Sequence, residues 1–219
     1  MDDCCAPRGI DGYEREFDDR FAHRLARDYR RNGAPAAARR IVEVATSTGL
    51  DGASVLEIGG GIGDIQLELL RHGAAHATNL ELSGAYESEA LRLLDEAGMR
   101  GRATRSVGID IAATPEAVET SDVVVLHRVV CCYPDYRRLL DAAAQHARRA
   151  VVFSHPPRTF VTMAGVGLLN LLYRLRRHPY RAFVHPPDAM IGVLERHGFE
   201  PLYRDREGTW CIVGAVRSL

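Results

Sequence analysis

Two stretches hold most of the chemistry this sequence can offer. The first is VLEIGGGIGDIQLELL, an apolar run, a glycine turn (Gly59, Gly60, Gly61, Gly63) and an amphipathic continuation. Strand, glycine loop and helix in that order make a nucleotide-type site, because glycine lets the backbone approach a ligand with no Cβ in the way. The dinucleotide spacing G-x-G-x-x-G fails, however. Counted from Gly59 the last position is Asp64, and counted from Gly61 it is Gln66. Glu57 precedes the loop, where a carboxylate would repel a pyrophosphate but suits a cationic ligand. The second stretch is HRVVCCYPD, residues 127–135, at the end of the apolar run DVVVL. His127 is the first candidate for a general base, or for a wall residue touching a cofactor, and His155 at the next strand end is the second candidate base. The vicinal pair Cys131–Cys132 could be a metal site, a nucleophile, a disulfide partner or a soft pocket wall.

Composition removes several classes. The chain has 219 residues, 46% hydrophobic and 26% charged, with a net charge of −1, which is ordinary for a globular protein with a proper core and gives no electrostatic case for nucleic acid. Every basic residue is arginine, so Schiff-base, pyridoxal-phosphate and Walker-lysine chemistry are excluded. The start, MDDCCAPRG, has no apolar core of a signal peptide, and five clustered cysteines do not read as a secreted disulfide framework. A cytoplasmic protein with no integral membrane segment is the expectation.

The elements that must position these residues alternate. A helix is expected over 12–31, with Tyr13, Phe17, Phe21, Leu25 and Tyr29 on one line, and a second begins at Pro35. Strands are expected at ASVLEIG, AHATNLEL, RATRSVGIDI, SDVVVLHRVV and RAVVFSH, with helices between them, then a helix at PDAMIGVLERHG and a closing hairpin, FEPLYRD and GTWCIVGAVR. The fold class that follows is α/β. It is a Rossmann-like, seven-stranded, mostly parallel sheet with an antiparallel C-terminal hairpin and helices on both faces. Residues 1–50 form an N-terminal helical cap, 51–219 the main domain, and 156–187 a helical insertion after strand five.

VLEIGGGIG resembles motif I of the class I S-adenosylmethionine-dependent methyltransferases. The resemblance covers residues 53–155 and implies S-adenosyl-L-methionine as cofactor. It makes Glu81, in NLELS, the ribose-binding acid, with Leu82 beside it. It places Asp110 against the adenine amino group, with Ile111 as its stacking or edge neighbour. A carboxylate can accept from both ribose hydroxyls, and the N-terminal end of the 63–72 helix favours the methionine carboxylate. The C-terminal half is similar to magnesium-protoporphyrin O-methyltransferases and related small-molecule enzymes, on CCYPD and on the apolar insertion. This implies a bulky or apolar acceptor rather than a porphyrin as such.

Methyl transfer from an activated sulfonium needs mainly positioning and a dry pocket. A carboxylate acceptor needs no base, whereas a phenol benefits from one. The expected reaction is transfer to a small, fairly apolar metabolite at oxygen. Methylation of a thiol-bound metalloid such as arsenite and cofactor binding without catalysis are the alternatives. Cys132, Tyr133 and His185 are the candidate acceptor contacts. No resident metal is expected; four thiolates from Cys4, Cys5, Cys131 and Cys132 would be the exception. Cys211 is expected in the core. The 159–177 helix, with Arg174, Arg176, Arg177 and Arg181 after it, reads as a lid, then a contact between two copies in a homodimer, then a membrane-surface contact, in that order.

Overall fold

Parallel strands buried on both faces need apolar side chains pointing both ways, and this chain supplies them. In the computed structural model, which describes residues 11–218, β1 (Ser54–Ile58), β2 (His76–Glu81), β3 (Ala103–Val107), β4 (Ser121–Leu126), β5 (Ala147–His155), β6 (Phe199–Glu207) and β7 (Trp210–Arg217) form one sheet in the order 3-2-1-4-5-7-6. β7 pairs antiparallel with both β5 and β6 and is the one reversed strand. Alternate residues feed two cores. Val55, Val123, Val125 and Val152 face one side, and Leu56, Val124, Leu126 and Phe153 the other.

The first face is covered by α2 (Asp19–Asn32), α3 (Ala36–Ser47), α4 (Asp64–Arg71) and α5 (Glu87–Glu96), and the second by α6 (Tyr136–His146) and α8 (Pro187–Arg196). Between β5 and α8 lies α7 (Phe160–Leu175), none of whose residues is buried.

Four local expectations need correction. The helix expected over 12–31 is two: α1 (Asp11–Glu16) and α2. Asp18 leaves helical geometry to cap α2, its carboxylate accepting from Phe21 N at 2.9 Å. β3 stops at Val107, because Gly108 turns the chain at φ 80°, so Asp110 and Ile111 lie in a loop. β4 stops at Leu126, because Arg128 adopts φ 63° and residues 130–132 coil into a 3-10 turn. Cys211 is half-buried rather than in the core, near the hairpin end of β7. Cys4 and Cys5 lie outside the described residues.

Candidate active site

The strand order reverses between β1 and β4, and the carboxyl ends of the strands on either side open onto a cavity of about 800 Å³. Its floor is the glycine loop. Gly59, Gly61 and Gly63 have φ of 65°, 51° and 75°, which side chains resist. Gly60 is required for a different reason: a Cβ there would sit 2.5 Å from the Glu57 carboxyl and collide with the Asn79 amide. Glu57 itself is buried and accepts from Asn79 Nδ2 at 2.8 Å. Burial, then the Asp64 charge, pushes its carboxyl up to about 8. Gly63 opens α4 and is not among the cavity-lining residues.

Glu81 is the best-fixed acid of the site. Gly61 N donates to its Oε2 at 2.8 Å, and Leu82 N and Ser83 N donate to its Oε1 at 2.8 and 3.0 Å. Three backbone donors leave acceptor capacity on Oε2 for a ligand hydroxyl. Burial nonetheless raises its pKa. Arg105, which the sequence reading missed, supports the loop from β3. It donates to Gly61 O at 2.7 Å and to Glu87 Oε1 at 2.8 Å. An arginine at the centre of a strand of small residues, Ala103, Thr104, Ser106 and Val107, was the available signal.

Asp110, Ile111 and Tyr133 form a second wall, and Leu82 also lines the cavity. Asp110 Oδ2 accepts from the Tyr133 hydroxyl at 2.9 Å, and Oδ1 accepts from Ala112 N at 3.0 Å. The Tyr133 hydroxyl is thus engaged with Asp110.

The third wall carries His127, Arg128, Cys131 and Cys132. His127 Nδ1 lies 2.9 Å from Ser154 Oγ, which also accepts from Arg128 N at 2.9 Å. Burial, helped by Arg128, pushes the His127 pKa down to about 3, so the ring is neutral near pH 7. The Arg128 guanidinium lies over the ring of Trp210, the single tryptophan, at 5.2 Å, and forms no ion pair among the described residues. The two sulfurs are 3.7 Å apart, and the Tyr180 hydroxyl donates to Cys132 Sγ at 3.0 Å. The Cys131 thiol, then Tyr180, holds Cys132 below the usual thiol range, while the same pairing raises Cys131.

The structure does not bring His155 or His185 to this cavity. His155 is buried, with Nδ1 2.9 Å from Pro156 O. His185 Nε2 meets Tyr133 O at 2.9 Å, and its ring stacks on Phe183 at 5.5 Å. The roof is instead aromatic. Phe17 and Phe21 line it, and the Tyr13 hydroxyl donates to Cys132 O at 3.0 Å. The next carbonyl back, Cys131 O, accepts from Phe183 N at 2.7 Å.

The pattern of the family described as "Methyltransferase domain" matches residues 21–203, which is most of the chain. The chain belongs to that methyltransferase family. Solved structures similar to this methyltransferase share its fold at low identity. A magnesium protoporphyrin IX methyltransferase from Synechocystis PCC 6803 with bound SAH is 22% identical, with a TM-score of 0.67, 96% of this chain covered and 94% of that one. An O-methyltransferase family protein from Burkholderia thailandensis is 18% identical, with a TM-score of 0.70 and coverage of 93% and 61%. The glycopeptide N-methyltransferase MtfA is 20% identical, with a TM-score of 0.58 and coverage of 83% and 90%. No curated protein matches the sequence.

Proposed function

We propose that this methyltransferase uses S-adenosylmethionine to methylate a carboxylate oxygen of a small, fairly apolar acid. The bound cofactor supplies an electrophilic methyl group on sulfur, so the chain's task is to bind, orient and exclude water. The donor set fits that cofactor. Gly60 gives a surface that a Cβ would fill, Glu81 keeps acceptor capacity for a ribose hydroxyl, and Asp110 lines the same cavity. Asp64, raised only to about 6, stays largely ionised at pH 7 and gives this end of the cavity a negative charge, which favours a sulfonium and an amine over a pyrophosphate. Tyr133 orients Asp110 through its hydroxyl.

The observation that carries the choice of acceptor is the pairing of His127 with Arg128. A ring whose pKa is pushed down to about 3 is a poor base for a phenol. A guanidinium without an ion-pair partner among the described residues, stacked on Trp210 at the cavity wall, complements an acceptor that is already anionic. Because such an acceptor is already ionised, no proton would have to move, and Arg128 would only have to hold it against the methyl group that the bound cofactor would supply. The test is a panel of aliphatic and aromatic carboxylic acids, phenols and amines with labelled cofactor and mass detection. Methyl esters are the expected products. Phenol ethers or methylated amines as the sole products would overturn the reading.

A second reading rests on the two sulfurs 3.7 Å apart on the cavity wall, a spacing that suits one trivalent metalloid centre. Methylarsenicals formed from arsenite and lost in Cys131→Ser and Cys132→Ser would select it. Methyl esters formed by both variants at the wild-type rate would remove it.

A further inference from the structure

Helix α7 is inside out. Its half-buried positions are Thr162, Val166, Asn170 and Tyr173, while Phe160, Val161, Leu168, Leu171 and Leu175 are 82, 78, 60, 51 and 72% exposed. The polar stripe is what holds it. Asn170 Nδ2 donates to Ala182 O at 2.8 Å and Asn170 Oδ1 accepts from Ala182 N at 3.0 Å, while the Tyr173 hydroxyl donates to Glu16 Oε1 at 2.8 Å. A soluble helix normally does the opposite, and an exposed apolar face of this extent marks an interaction surface.

Charge says what covers it. Residues 156–187 contain Arg158, Arg174, Arg176, Arg177 and Arg181 and no Asp or Glu. The first four are exposed and bracket the helix. Two copies of α7 packed face to face would set arginines against arginines, parallel or antiparallel, with no carboxylate on the segment to answer them. An anionic lipid surface answers both features: acyl chains take the leucines and headgroups take the guanidinium groups. With 16 residues, α7 is also too short to cross a bilayer, and among the described residues no helix is long and apolar enough to do so.

We infer that α7 docks the enzyme on an anionic membrane surface, lying in the headgroup plane. Leu169 and Tyr173 line the cavity from the same helix, so the docked enzyme holds its active site beside the lipid. If the acceptor is the apolar acid proposed above, it can enter from the bilayer; the docking itself does not depend on that reading.

The test is flotation of the full chain with vesicles of phosphatidylcholine alone or with one quarter phosphatidylglycerol, at low and at physiological salt. Neither acceptor nor turnover is needed, so failure here is separable from failure of the proposed reaction. Binding to the anionic vesicles is expected at least tenfold tighter than to the neutral ones. Arg174→Gln, Arg176→Gln and Arg177→Gln together should weaken it about 10²-fold, at roughly fivefold per arginine. Leu168→Glu, Leu171→Glu and Leu175→Glu together should abolish it while S-adenosylmethionine affinity, read by calorimetry, stays unchanged. Should the leucine variant fail to fold, the arginine variant carries the test. Equal binding to both vesicles, or none, overturns the inference. So does a dimer by light scattering that the leucine changes make monomeric while vesicles are ignored.

Discussion

A Cβ on Gly60 would lie 2.5 Å from the carboxyl of Glu57. The glycine loop and the buried acid beneath it are therefore one packed unit. Gly60→Ala must lift the loop or displace Glu57 from Asn79, an overpacking cost of about 1–3 kcal/mol. The expected outcome is a lower melting temperature and at least a tenfold loss of S-adenosylmethionine affinity, read by thermal melts and calorimetry. A variant that binds normally would show that the loop does not support the ligand.

Glu81 accepts three backbone N–H groups and still faces the cavity. Hydrogen bonds to a charged acceptor contribute about 1.5–3 kcal/mol each. Glu81→Ala should therefore weaken cofactor binding by one to two orders of magnitude and loosen the loop. Amide exchange at Gly61 and Ser83 should rise with it; unchanged affinity would remove the ribose assignment.

The raised Glu57 carboxyl gives a pH signature. Its pKa moves from 4.5 to about 8 in the fold, so the folded state favours the protonated form. The stabilisation is complete below the unfolded pKa and is lost as pH rises through the folded one. Asp64, raised to about 6, completes its transition at lower pH, whereas His127, His155 and His185, all lowered, add stability as pH rises through the unfolded histidine value of 6.5 and oppose the fall until they are spent. The melting temperature of the wild type should therefore fall only above about pH 7.5. Glu57→Gln, which keeps an acceptor for Asn79, should flatten that fall. Parallel curves would mean that another group titrates.

Arg128 combines a left-handed backbone with a guanidinium stacked on Trp210. Asparagine tolerates that backbone, so Arg128→Asn should change stability by no more than about 1 kcal/mol. With a carboxylate acceptor, KM should rise at least tenfold while S-adenosylmethionine affinity holds. An unchanged KM would remove Arg128 from acceptor binding.

The sheet and its glycine loop were legible because strand period, apolar runs and glycine spacing are written locally. Glu57, Glu81 and Asp110 line one cavity because each sits at or just beyond a strand end, where topology fixes the location. Direction is harder to read than location. His155 is also at a strand end, yet it is buried away from the cavity, with Nδ1 against Pro156 O. The early end of β4 depends on Arg128 at φ 63°, and an arginine carries no local sign of a left-handed turn, whereas Gly108 after β3 does. The break before α2 was signalled by Asp18-Asp19 and overridden by an apolar stripe that continues across it. The inverted face of α7 was hidden because exposure depends on which stripe finds partners, and Asn170 finds Ala182.

Cys131 and Cys132 were singled out for their sulfur, but their carbonyls reach further. Cys132 O takes the Tyr13 hydroxyl, and Cys131 O takes Phe183 N. Two segments far apart in the chain are thus fastened to one dipeptide, and a third bond, from the Tyr173 hydroxyl to Glu16, ties them to each other. A rotation of this peptide would strain both fastenings at once, so the two segments over the cavity are mechanically coupled through its wall.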